Sequence, residues 1–143
     1  MVSDPLKIYP GYALKRASSA AMAELTPRFM EMDLRASEAT VLLAIKYNPG
    51  ITPSDISRML DMATANTTPL IRRLDKRGLV ERTPVNGRSH SLSLTRDGGD
   101  LAEKVLGVVE DHERRLMDKI PEELQKPFME AIAYLWKAEE QLP

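Results

Sequence analysis

Arg72, Arg73 and Lys76 fall within five residues of one another, and Arg77 follows at once. Cations so spaced suit an anionic polymer, because phosphate contacts demand Lys or Arg. Just upstream stand Thr64, Asn66, Thr67 and Thr68. Short hydroxyl and amide side chains of this kind reach base edges or thymine methyl groups. Arg88, beside an Asn-Gly pair, is a turn-borne cation of the sort that fits a narrow, negative minor groove. The chain as a whole carries a net charge of −1, which hides a division. Residues 64–96 hold seven basic and two acidic side chains, a net +5, whereas residues 97–143 hold six and twelve, a net −6. The competing reading of such a cluster is a solvated helix face. Arg73 also has Asp75 and Glu81 as possible ion-pair partners; phosphate contact is the favoured reading.

Pro69 lies inside this stretch. A proline within a helix removes a hydrogen bond and clashes with the preceding turn, at about 3 kcal/mol. At about 100° per residue, Thr67, Leu70, Ile71 and Leu74 share one side of the helix. Pro69, Arg72, Arg73 and Lys76 share the other, so the ring is expected on the basic face. With Thr64 as the N-cap, the loss falls in the first two turns, where water can meet the freed carbonyl of Ala65.

A second group is Tyr9, Tyr12 and Arg16. Aromatic rings beside a cation can hold a small anion; tyrosines packed at an interface between two chains are the alternative. Other chemistries find little footing. There are no cysteines and only two histidines, His90 and His112. No HExxH, glycine-rich phosphate loop or nucleophile motif occurs. The expectation is therefore no catalytic residue, no metal and no cofactor. No apolar run approaches the roughly 18 residues of a membrane helix, and the opening MVSDPLKIYPGY lacks the pattern of a signal peptide. A cytoplasmic location is expected.

The elements that must position these residues are mostly helical. Apolar spacing predicts a first helix from Pro10 to about Met32, with Pro27 kinking or ending a turn. A second helix follows over EATVLLAIKYN with Ser37 as its N-cap, and NPG at 48–50 breaks it. Thr52, Pro53 and Asp55 then form a start signal for PSDISRML, whose Ile56, Met59 and Leu60 share a face. Two short helices joined by a tight turn, the second basic, form a helix-turn-helix pattern. Beyond Gly78 the period changes. LVERTP and SHSLSLT flank VNGR, a hairpin signal, with His90, Leu92 and Leu94 alternating against Ser89, Ser91, Ser93 and Thr95. A lone hairpin is marginal in water, so Leu92 and Leu94 must lean on the helices. Two further helices begin near Thr95 and Pro121, with Leu101, Val105, Val108 and Leu116 on the first. Leu124, Phe128, Ile132 and Leu135 lie on the second.

Over nearly the whole chain this order resembles the MarR family of regulators (multiple-antibiotic-resistance type). NPGITPSDISRML resembles the first helix of that family's helix-turn-helix. TTPLIRRLDKRGLVERTP resembles its recognition helix running into the wing, and NGRSHSLSLTRDGGDL the return strand and the entry to a long dimer helix. The family carries Asp-x-Arg at the wing tip; here Asn86-Gly87-Arg88 keeps the arginine alone. Pro69 stands where the family often has arginine. The resemblance implies a mainly α fold: a winged helix-turn-helix with a two-stranded β-wing and long N- and C-terminal dimerisation helices. It implies one domain over 1–143, with a DNA-binding lobe at 36–96 and a helical dimerisation lobe from 1–35 plus 97–143. Its partners would be double-stranded DNA with a pseudo-palindromic operator, and a second copy of the chain. The expected DNA contacts are Thr64, Asn66, Thr67, Thr68, Pro69, Arg72, Arg73, Lys76, Arg88 and His90. A small aromatic acid or its coenzyme A thioester, held near Tyr9, Tyr12 and Arg16, would release the repressor. The alternative is a winged-helix protein-interaction module without ligand response.

Overall fold

The computed structural model describes residues 1–136. A 3-10 turn at Pro5–Ile8 leads into α1 (Pro10–Met30), α2 (Ala36–Tyr47), α3 (Pro53–Met59) and α4 (Thr64–Lys76). The strands β1 (Val80–Asn86) and β2 (Ser89–Leu94) follow, then α5 (Arg96–Asp118) and α6 (Glu122–Trp136). Compact units span Met1–Val109 and Glu110–Pro143. Their boundary falls inside α5, so α1 shares a unit with the helix-turn-helix and hairpin. Residues 137–143, the end of the expected dimerisation lobe, lie outside the described residues.

In the first unit, Leu25 and Phe29 of α1 pack with Val41, Leu42 and Ile45 of α2, Ile56 of α3, and Leu70, Ile71 and Leu74 of α4. Leu79, Val80, Leu92, Ala102 and Val105 complete this core. Met59 departs from the expected face: it is half exposed, and Ile56 alone of its trio is fully buried. Upstream of Leu25 no residue of α1 is fully buried, although Met22 packs partly against the core.

Local chemistry sets the helix ends. Thr52 and Asp55 form a reciprocal capping box at α3, with Pro53 at the first position. The Thr52 hydrogen bonds, side chain first, lower the Asp55 pKa from its ordinary value. The α3–α4 turn is closed by Asp61 at φ 50° and by Met62 N–H donating to Ser57 O at 2.9 Å. Gly78 at φ 71° ends α4 in the same way, with Leu79 N–H reaching Leu74 O at 3.1 Å; such left-handed caps satisfy carbonyls a helix end leaves free. The expected caps of α2 and α4 differ. Arg35 and Ala63 occupy the N-cap positions, neither with a side-chain hydrogen bond. Ser37 is two residues too late, the second residue of α2, and Thr64 is the first helical residue of α4. Pro27 lies within α1, one turn before its end.

The hairpin pairs Val80 with Leu94 and Arg82 with Leu92. Its turn centres on Gly87-Arg88, not Asn86-Gly87, and only Gly87 takes a positive φ, +37°. Leu92 is the one fully buried residue of β2, so the expected alternation is softened. The hairpin is not alone, however. Gly50 N–H donates to Leu92 O, and Leu92 N–H to Ile51 O, each at 2.8 Å. The segment leaving the NPG break thus forms an isolated β-bridge, Ile51 to Leu92, that pins the wing.

In the second unit, Gln125 donates to the carbonyls of Met117 and Ile120 at 3.1 and 3.0 Å, closing the α5–α6 corner. His112 is buried. Helix α6 has no buried residue; Leu124, Phe128 and Leu135 are all exposed, and Ile132 is partly so.

Candidate nucleic-acid interface

Helix α4 divides along its length. Thr67, Leu70, Ile71 and Leu74 are buried, as the rotation per residue requires. Thr64, Asn66, Thr68, Pro69, Arg72 and Lys76 are exposed. This places short polar groups in the first turns and free cations behind them. Among the described residues neither Arg72 nor Lys76 is in an ion pair. Thr68 donates to Thr64 O at 3.0 Å, which leaves its methyl and its lone pairs available.

Two residues of the expected set are corrected. Thr67 is fully buried. Its hydroxyl accepts from Ser57 at 3.0 Å and donates to Ala63 O at 3.3 Å, so it joins α4 to α3 and reaches no surface. Arg73 is only half exposed, and its Nε lies 3.3 Å from Glu38 Oε1. Glu38, near the start of α2, is 0% exposed. The partner is neither Asp75 nor Glu81. Asp75 instead takes Arg82 at 3.0 Å, tying β1 to α4. Arg77 of the basic cluster is structural too: it donates to Asp33 O at 2.6 Å and Met32 O at 3.2 Å.

Arg88 is exposed at the hairpin turn and His90 is half buried. Both line a shallow hollow of about 440 Å³ with Thr52, Ser54, Arg82 and Asn86. His90 Nδ1 has no hydrogen-bond partner among the described residues. Sequence reasoning missed Ser54 and Arg82 here, because only the folding of the hairpin towards the start of α3 brings them beside Arg88.

Pro69 lies inside α4 and is exposed. Its ring cannot donate to Ala65 O, and the bond is lost on the solvent side, where water substitutes. Pro69→Ala should therefore leave thermal stability equal or higher, while changing which DNA sequence a binding selection returns. Clear destabilisation with unchanged preference would contradict this account.

The second candidate group is partly assembled. Tyr12 donates to Asp4 Oδ2 at 2.7 Å, and Arg16 donates to the Tyr12 oxygen at 3.0 Å. The guanidinium lies 5.8 Å from the Tyr12 ring centroid and 3.6 Å from Asp4. The Tyr12 hydrogen bond is the largest cause of its raised pKa. Asp4, absent from the expectation, already matches the cation. Tyr9 stands outside the cluster as the N-cap of α1. Among the described residues no group of three His, Asp or Glu could hold a metal, and no helix is long and apolar enough to cross a membrane.

A capped helix pair whose second member exposes a basic, hydroxylated face, followed by a pinned hairpin carrying an arginine, defines a winged helix-turn-helix protein. Residues 32–89, which span the helix-turn-helix and most of the hairpin, match the MarR family. The HTH-type transcriptional repressor Rv2887 of Mycobacterium tuberculosis is 24% identical over 127 residues, covering 87% of this chain and 91% of that protein. A mutant MarR from E. coli complexed with operator DNA superposes with a TM-score of 0.83 at 22% identity, over 94% of this chain and 100% of that one. MepR of S. aureus in complex with DNA gives 0.81 at 19% identity, over 88% and 94%. These similarities establish the fold, and the Mycobacterium tuberculosis relative is named as a transcriptional repressor.

Proposed function

We propose that the protein is a sequence-specific, double-stranded DNA-binding transcriptional regulator, a homodimeric repressor released by a small anionic aromatic ligand or its coenzyme A thioester. The observation that carries the reading is the divided surface of α4. Its apolar side is spent on the core, while Thr64, Asn66, Thr68, Pro69, Arg72 and Lys76 stand exposed together. Short polar groups and an apolar ring read base edges and thymine methyls; the two cations and Arg88 of the wing meet phosphates or the minor groove. His90 adds an imidazole two residues past Arg88, opposite Pro84 near the tip of the wing. The relatives named as repressors, and the fold shared with proteins crystallised on DNA, support the same assignment.

A second copy of the chain accounts for apolar surface that the first leaves uncovered. Leu6, Ile8, Tyr9 and Leu14 are exposed at one end, and Leu124, Phe128 and Leu135 at the other. For the ligand, support comes from Lys7, which lines a hollow with Asp4, Tyr12 and Arg16. Two cations against one carboxylate leave a net positive charge for an anion beside an aromatic ring.

Titration of labelled duplex across salt concentrations tests the DNA assignment. Affinity should fall steeply from 50 to 200 mM, as counterions released by phosphate contacts require. Arg88→Ala and Arg72→Ala should each make the slope shallower by about 0.9 per chain. A flat dependence would overturn the assignment in favour of a winged-helix protein-interaction module.

A further inference from the structure

Glu38 is a carboxylate with no exposure, and neither oxygen receives a hydrogen bond of ordinary geometry within the described residues. Two cations face it. Arg73 Nε of α4 lies at 3.3 Å, and Arg35 Nε, the N-cap residue of α2, at 3.8 Å with 70% of its side chain exposed. A buried carboxylate without hydrogen bonds contributes poorly to stability, so its presence here calls for another role. Its position at the first turn of α2 is favourable to a negative charge. It sets that charge against the one cation of α4 that is both near the core and 42% exposed.

We propose that Glu38 is a positioning residue for DNA binding: it clamps Arg73 to α2 and withholds that charge from the phosphate backbone. The inference rests on the DNA-binding reading above. Arg72, Lys76 and Arg88 then supply the electrostatic attraction, and Arg73 does not add to it. Non-specific affinity comes almost wholly from such cations. Neutralising one of them internally lowers binding to arbitrary DNA without removing any group that reads bases, so the ratio of specific to non-specific binding rises. The pair also ties the angle of the recognition helix to α2.

Salt titration of Glu38→Gln tests this, because the amide keeps the shape and frees the arginine. For each recognition helix engaged, the slope should steepen by about 0.9, an extra loss of about 3.5-fold in affinity between 50 and 200 mM salt. Binding to non-operator duplex at low salt should strengthen. The double variant Glu38→Gln/Arg73→Gln should return the slope to that of the wild type. Arg73→Gln alone should leave the slope unchanged, and it serves as the deciding variant if Glu38→Gln does not fold. A Glu38→Gln slope equal to the wild type, or an Arg73→Gln slope shallower by about 0.9, would overturn the proposal while the DNA reading stands. A purely structural Glu38 would move the melting temperature and leave every slope alone. A flat slope in the wild-type protein itself would instead remove the DNA reading, and this inference with it.

Discussion

Gly98→Ala should lower the melting temperature by on the order of 10 °C, whereas Gly99→Ala should leave it equal or raise it. The two glycines are adjacent at the start of α5 and differ in what stands beside them. A methyl group at Gly98 would collide with the backbone carbonyl of Leu79, while one at Gly99 meets open space. That carbonyl cannot easily move, since it accepts the Thr95 N–H at 3.1 Å. The Thr95 hydroxyl donates to Gly78 O at 2.6 Å and accepts the Gly98 N–H at 3.0 Å. Backbone is therefore stitched to backbone where α4, β1 and α5 meet. Overpacking against side chains costs about 1–3 kcal/mol; here both parties are main chain, so roughly 3 kcal/mol or more is expected, at about 2–4 °C per kcal/mol for a protein near this size. Gly99 carries only the entropic cost of a helical glycine, about 0.5–1 kcal/mol relative to alanine. Thermal melts of both variants decide it, and a Gly98→Ala curve that overlays the wild type would refute the close approach.

The second large effect belongs to Arg73→Ala. Removing one partner of a fully buried pair costs about 3–5 kcal/mol, because the remaining charge stays buried. Arg73 is 42% exposed, and solvent screens part of that attraction. A loss of about 2 kcal/mol follows, or about 4–8 °C in melting temperature. Arg72→Ala, one residue earlier and exposed with no ion pair among the described residues, should stay within about 0.5 kcal/mol. The two neighbours thus separate cleanly: the first weakens the fold and spares the salt dependence of DNA binding, the second does the reverse. Equal melting temperatures for the two variants would show that Glu38 does not depend on Arg73.

What the sequence reveals here is what lies within one turn. Thr52, Pro53 and Asp55 are three residues apart, and their capping box is legible because each group bonds within that window. The divided face of α4 follows from rotation alone. That same rotation already sets Thr67 beside Leu70, Ile71 and Leu74, which conflicts with using it as a base contact. The structure resolves the conflict towards burial, through the Ser57 hydroxyl. Contacts between distant segments are illegible in the same sense. Glu38 meets Arg73 from another helix, and a lone acidic residue beside Ser37 carries no mark of being buried. Arg77 reaches Met32 and Asp33, so one of four clustered cations is spent on a helix end. Gly98 and Gly99 look alike as letters; only the carbonyl of Leu79 distinguishes them. Ile51 forms a β-bridge only because Leu92 arrives beside it.

The proposed role of α4 and the wing is to read duplex sequence. The most direct measurement is selection of binding sites by the pure protein from a pool of random duplexes at physiological salt, followed by sequencing. The expected result is enrichment of an inverted repeat whose half-sites lie about 10 base pairs apart, one helical turn, as the two recognition helices of the proposed dimer require. A pool that returns no enriched sequence, from protein that is folded and at working concentration, would contradict it.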